Sequence, residues 1–272
     1  MIQFPPGAPS GPVIAHTDAA RTRSLIPGKR DRQGFLQAHL DELETLFNGR
    51  PAWFPTFNYD FLRTRTFDAD NDPSQVGSIN EAARVRKMSW RSAIPVFNFT
   101  GTGVAPPLQE ITEGAIVYPF DEASIFGRSV AEDGILLWYG APYSTATILH
   151  HAEGMAGGPL YRYDKDFQGT VLSGGASTQV TLRYHVRPLS RPVDYAWDRI
   201  IRDAQEQGII RVLDDPASVS WASARELVHF WVERQREDVL YLLDEKSRRW
   251  IAPKLDQLGR RFTFEDFEGT GA

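Results

Sequence analysis

An α/β fold in a single domain is what this sequence predicts, on three observations. Between residues 13 and 57 two apolar, strand-like runs flank a helical stretch, the order of a βαβ unit. The most strand-like run of the chain, Ile135 to Tyr139, leads after a Gly-Ala-Pro turn into a second helical stretch. The 272 residues contain no internal repeat, low-complexity tract or linker that would divide them.

Each element follows from local pattern. Val13-Ile14-Ala15-His16 reads as a short buried strand. Over 32–47, Phe35, Leu36, Leu40, Leu43 and Phe47 fall on one stripe and Glu42 and Glu44 on the other, which is helical spacing, and Gly49-Arg50-Pro51 ends it. Ala52 to Phe57 is a second strand. Residues 63–77 are polar and turn-rich, so they read as a long surface loop. A short helix is expected over 79–87, strands over 94–101 and 134–140, and a helix over 145–156 entered through Ser144 or Thr145 as N-cap. Strands over 161–167 and 178–186 follow, then helices over 193–207 and 222–245, the latter carrying Leu227, Phe230, Trp231, Leu240 and Leu243.

Composition limits the chemistry. With no Cys there is no disulfide, thiolate nucleophile, Cys-ligated zinc or iron–sulfur cluster. Any catalysis rests on His, carboxylates, hydroxyls and backbone amides. Thirty Lys and Arg against 35 Asp and Glu give a net charge of −5, not the basic balance of a nucleic-acid binder. The first residues lack a basic n-region and an apolar h-region, and no apolar run is long enough to span a bilayer. A cytoplasmic protein without nucleic-acid or membrane partners is therefore expected.

The stretch from Leu137 to Glu153 concentrates the reactive groups. In open α/β sheets ligands bind beyond the carboxyl ends of strands, and that position is followed here by Thr147, His150 and Glu153 at i, i+3 and i+6. A carboxylate one turn from an imidazole orients it and stabilises its protonated form, which suits a general base, while the Thr hydroxyl can donate to a developing negative charge. The same spacing also describes an ordinary solvated helix face. A metal site would need a third ligand: His151 points some 100° away around the helix, and only His16 and His185 remain. No metal is expected.

Several short segments, in order, resemble one family. Thr147-Ile148-Leu149-His150-His151-Ala152-Glu153 resembles the Thr-x-x-His-x-x-Glu segment of the aminoglycoside 3-N-acetyltransferase (antibiotic N-acetyltransferase) family. Val13 to Asp18 is similar to its opening Val-His-Ser-Ser segment, and Phe54-Pro55-Thr56-Phe57 to its Met-Pro-Thr-Phe strand. Phe67 to Arg84 looks like its loop and short helix, Arg91 to Pro95 like its Arg-Ser-x-His-Pro segment, and Asp121 to Phe126 like its Gly-x-x-Ser-Pro segment. Ile94 stands where the family pattern has His, and Asp18-Ala19 where it has Ser-Leu.

The resemblance covers about residues 13–165 of a single 1–272 domain and leaves 166–272 divergent. It implies an α-β-α layered domain with a mixed central sheet. It also implies an acetyl-CoA-dependent N-acetyltransferase that acylates an aminoglycoside or amino-sugar-like amine by direct transfer. By it, His150, Glu153 and Thr147 are catalytic, and His16, Thr17, Arg91 and Ser92 hold the co-substrate acetyl-CoA. The acidic loop, with Asp68, Asp72, Glu81 and Asn58, would bind a cationic acceptor, or is simply an Asp-rich turn in water. Arg183, Arg187 and Arg191 could instead meet the phosphates of a nucleotide-linked amino sugar destined for a polysaccharide. A non-catalytic CoA-binding homologue and a metal-dependent hydrolase stay open as further readings. The expected partner is a small-molecule amine, and the expected assembly a monomer or homodimer.

Overall fold

The computed structural model describes residues 2–28, 30–86 and 88–268. Its elements in order are β1 (Val13–Thr17), α1 (Arg32–Phe47), β2 (Ala52–Pro55), α2 (Phe61–Thr64), β3 (Thr66–Asp68), α3 (Ser78–Val85), β4 (Trp90–Arg91), β5 (Phe99–Gly101), β6 (Ala115–Val117), α4 (Ile125–Ala131), β7 (Ile135–Tyr139), α5 (Leu149–Met155), β8 (Tyr163–Ser173), β9 (Ala176–Val186), α6 (Trp197–Glu206), β10 (Arg211–Asp214), β11 (Val219–Ser223), α7 (Ala224–Glu237) and α8 (Glu245–Leu258).

Seven strands form the central sheet in the order β10-β11-β7-β1-β2-β5-β4. Its middle is parallel, with Val13 opposite both Ala52 and Ile135, and its flanks are antiparallel. Central strands buried on both faces read as continuous apolar runs, which is why Val13-Ile14-Ala15 and Ile135 to Tyr139 stand out in the sequence. The side chains alternate between two cores. Ile14, Leu136 and Trp138 pack against α4, α5, α6 and α7, while Val13, Ala15, Ile135 and Leu137 pack against α1 and α3. The domain is thus the α-β-α layering with a mixed central sheet that the sequence predicts. Each of the fully buried Val, Leu and Ile side chains among these contributes roughly 1.5–3 kcal/mol by leaving water.

A second sheet, β3-β8-β9-β6, is built on the long β8–β9 hairpin, which pairs from Tyr163 with Val186 to Ser173 with Ala176. One face of it closes over Phe61, Phe67 and Val96 as a separate small core. The hairpin thereby stands beside the carboxyl ends of β1, β2 and β7, and a cleft is left between the two sheets.

Several segments depart from expectation for physical reasons. The loop 63–77 contains the end of α2 and all of β3, whose three residues pair in parallel with β8; a strand so short carries no periodic signal. Only Phe99–Gly101 of the segment 94–101 is strand, because Val96 takes φ +63° beside Pro95 and its carbonyl accepts the amide of Asn58. The helix expected over 79–87 runs from Ser78 to Val85, and Lys87 lies outside the described residues. The helix expected over 193–207 begins only at Trp197. The helix expected over 222–245 is a strand end, then α7, then a break where Asp238 turns extended. α8, β10, α4 and β6 have no counterpart in the sequence reading.

Candidate active site

The parallel strands β1, β2 and β7 end on the same side, and the ends of β1 and β2 with the segment after β7 line a small cavity of about 240 Å³ through His16, Thr17, Pro55, Phe57 and Thr147. Thr17 Oγ1 donates to Asn80 Oδ1 at 2.8 Å, and Asn80 Nδ2 to the Pro55 carbonyl at 2.8 Å, so α3 ties two strand ends together. The buried ring of His16 stacks on Trp138, and its Nε2 has no hydrogen-bond partner among the described residues. Burial pushes its pKa down to about 4, so the ring is neutral. After β7 the chain turns at Gly140, at φ +74°, where a Cβ would come within 2.8 Å of Thr22 Cγ2 and 2.9 Å of the Asp18 carbonyl oxygen.

That turn does not open the helix where the sequence suggests. A short 3₁₀ turn occupies Tyr143–Thr145, Thr145 Oγ1 donates to the Pro142 carbonyl, and α5 starts at Leu149 with no side-chain cap at Ile148. Thr147 therefore lies ahead of the helix, and its carbonyl accepts the His150 amide at 3.0 Å. The i, i+3 relation between His150 and Glu153 holds, and the two side chains meet, His150 Nδ1 to Glu153 Oε2 at 2.8 Å.

Glu153 is fully buried, which removes the solvated-face reading. Its Oε2 also receives His185 Nε2 at 3.1 Å, and its Oε1 accepts from the hydroxyls of Tyr161 and Tyr195, each at 2.7 Å. The Arg162 Nε is 3.6 Å from Oε1, and Arg162 Nη2 donates to the Tyr195 hydroxyl. Burial alone would raise the Glu153 pKa; the Arg162 charge and the two histidine hydrogen bonds outweigh it and hold the carboxyl well below the usual range. Burial, with Glu153 beside them, pushes both phenols well above their usual value, so they stay donors.

An ionised carboxylate only accepts, so His150 Nδ1 carries the proton and Nε2 keeps its lone pair. Burial lowers the His150 pKa to about 4, against the hydrogen bond and charge of Glu153, so the ring is a neutral base near neutral pH. The ring is 22% exposed and lines a larger cavity, about 710 Å³, between the central sheet and the β8–β9 hairpin. Thr147 and Tyr59 line both this cavity and the smaller one.

His16 and Thr17 are thus brought to Thr147, and Thr147 to His150. Arg187 also lines the larger cavity, and the remaining expected residues lie elsewhere. Arg91 bonds Asn98 Oδ1 and the Ala69 carbonyl over the Phe67 ring, and Ser92 Oγ accepts the Phe99 amide. Asp68 accepts the amides of Asp70 and Asn71, Asp72 accepts the amide of Asp68, and Glu81 binds Arg84 and the Ser74 amide. Asn58 Nδ2 donates to the Pro73 carbonyl. None of these six lines either cavity. Arg183 is engaged by Asp166, Arg187 lies 3.6 Å from Asp194, and Arg191 covers the Trp250 ring.

Sequence spacing did not point to Tyr161, Arg162 or Tyr195, and considered His185 only as a metal ligand. His150, Glu153 and His185 are a set of three among the described residues placed close enough to ligate a metal, their ligand atoms within 4.8 Å of one another. Those atoms already bond each other, and the Arg162 guanidinium sets a like charge beside any cation there.

The sequence pattern of the aminoglycoside 3-N-acetyltransferase family matches residues 42–236, which is most of the chain and includes Thr147, His150, Glu153 and His185. The chain belongs to the aminoglycoside 3-N-acetyltransferase family. Aminoglycoside N(3)-acetyltransferase VII of Streptomyces paromomycinus is 31% identical to it over 177 residues, 58% of this chain and 59% of that one. The match therefore spans well under two thirds of that curated relative's length. Among solved structures, aminoglycoside acetyltransferase AAC(3)-Xa gives a TM-score of 0.64 at 22% identity over 85% of this chain and 88% of that one. A binary complex of AAC-IIIb with CoASH gives 0.65 at 19% identity over 85% and 91%. At these identities the likeness is one of fold, and this family member shares the fold of those acetyltransferases.

Proposed function

We propose that this protein is an acetyl-CoA-dependent N-acetyltransferase acting on an amino group of an amino-sugar-like acceptor by direct transfer. The observation that carries the reading is the 2.8 Å bond of His150 Nδ1 to the buried Glu153 at the wall of a cavity that shares Thr147 with a second one. Family membership and the CoASH complex of AAC-IIIb support the choice of co-substrate.

In this reading the smaller cavity, with His16 and Thr17, takes the pantetheine arm and brings the thioester to Thr147. The acceptor amine enters the larger cavity. As its nitrogen attacks the thioester carbon, His150 Nε2 takes the proton, and Glu153 stabilises the resulting imidazolium. The Thr147 hydroxyl donates to the oxyanion. The intermediate then collapses with cleavage of the carbon–sulfur bond, and the thiolate leaves as CoASH with the proton from His150. The products are the acetamide and CoASH. No protein nucleophile takes part, in keeping with a chain that has no Cys.

His150→Ala tests this directly in a CoA-release assay over a panel of amines. Turnover falls about 10²- to 10⁴-fold while calorimetry still detects acetyl-CoA. Near wild-type turnover in the variant would remove His150 from the mechanism.

A further inference from the structure

The charges around the larger cavity say what kind of amine fits it; the inference rests on the N-acetyl transfer proposed above. Every charged side chain on that wall already has a neighbour of opposite sign. Lys165 is held by Glu268, Arg187 faces Asp194, and Arg162 faces Glu153. Asp194 and Glu268 are the only carboxylates lining the cavity among the described residues, so none is left over for a cationic guest. The acidic residues that would be the natural partners of a polycation, Asp68, Asp72 and Glu81, are bonded to backbone amides of their own region, and Glu81 also to Arg84.

The uncharged part of the wall is aromatic. Tyr59, Phe97, Phe167, Tyr184, Tyr195 and Trp197 contribute to it, and aliphatic side chains fill the gaps between them. Phe97 and Phe167 both pack against the Tyr184 ring, so these faces form a continuous surface. About 710 Å³ is room for a drug-sized molecule.

A polycation entering this site would set several ammonium groups against Lys165 and Arg187, with two carboxylates on offer and both engaged. Each further ammonium would lose its water without gaining a partner. A molecule with one amine escapes that penalty, and rings carried beside the amine can stack on the aromatic wall. The neutral His150 base likewise needs the reacting nitrogen unprotonated, which a site without surplus negative charge favours.

We propose that the acceptor is a monoamine carried on a neutral, ring-bearing body, and not a polycationic aminoglycoside. A mono-amino glycoside and an arylalkylamine both have this chemistry, and the assay separates them. CoA release from acetyl-CoA is measured with phenyl 2-amino-2-deoxyglucoside, with 2-phenylethylamine and with the tetra-amine neamine. At least one monoamine is expected to exceed neamine in kcat/KM by about tenfold or more. Leu189→Glu, which adds a carboxylate at an exposed position on the cavity rim, is expected to narrow that ratio. Equal or better turnover of neamine by the wild-type protein overturns this proposal alone. Transfer to none of the three, with acetyl-CoA still bound in calorimetry, overturns both it and the acetyltransferase reading.

Discussion

Glu153 is the residue on which the others converge. Two histidine nitrogens, two phenol hydroxyls and one guanidinium surround a carboxylate with no exposed surface. Such a group is held ionised only as long as its donors are in place, and Arg162, itself buried, depends on it in return. Glu153→Gln keeps the shape and removes the charge. Its amide group meets several donors with donors of its own, and Arg162 loses its counter-ion. Two effects are expected: urea denaturation shows a loss of about 3–5 kcal/mol, and turnover of the still-folded variant falls about 10²-fold or more because the imidazolium loses its stabilising anion. Unchanged stability would mean that Arg162 is balanced by another group. Of this cluster, spacing reveals only His150 and Glu153, because one helical turn relates them. His185 arrives from β9, and Tyr195 from the segment before α6; contacts 32 and 42 residues distant leave no periodic trace.

At the scale of elements, the turn after β7 decides where Thr147 and His150 stand. Gly140 combines φ +74° with a packing position that has no room for a Cβ. Gly140→Ala is therefore expected to lower stability by about 2 kcal/mol, seen as a lower thermal midpoint. It should also lower kcat, since the segment from Pro142 to Thr147 must shift. An alanine variant with wild-type midpoint and turnover would show that the turn relaxes freely. Strand β7 itself was legible because both its faces are buried, and α1 because one stripe is apolar. What escaped is structure fixed by pairing across distance. β3 exists only because Thr66 to Asp68 align with Thr170 to Leu172, and β11 only because it lies antiparallel to β7. The carboxylates of the acidic loop look equally available in sequence, and only the folded chain shows Asp68 and Asp72 accepting neighbouring backbone amides.

Across the whole molecule, buried neutral histidines make the fold sensitive to acid. His39 lies in the helical layer below the sheet, with Nδ1 bonded to the Tyr139 hydroxyl, His16 lies in β1 just before its last residue, Thr17, and His150 lines the cleft. Burial lowers each from 6.5 to about 4. Burial also lowers His151, whose Nδ1 meets the Phe120 carbonyl. The sign follows from proton uptake. Above 6.5 the rings are neutral in both folded and unfolded chains, and the stability is complete. Between 6.5 and about 4 the unfolded chain binds protons that the folded chain refuses, so stability falls with pH by up to ~1.4 kcal/mol per unit for each ring. Glu153, held well below the ordinary glutamate value of 4.5, adds a further loss only below that value. Three such rings acting together rival the total stability of a typical domain, about 5–15 kcal/mol. The expected result is a urea midpoint that drops steeply from pH 6.5 toward 4, with net uptake of about three protons on unfolding near pH 5. A midpoint that stays level from pH 7 to 5 would mean that these rings are charged inside the fold, and with them the His150 base.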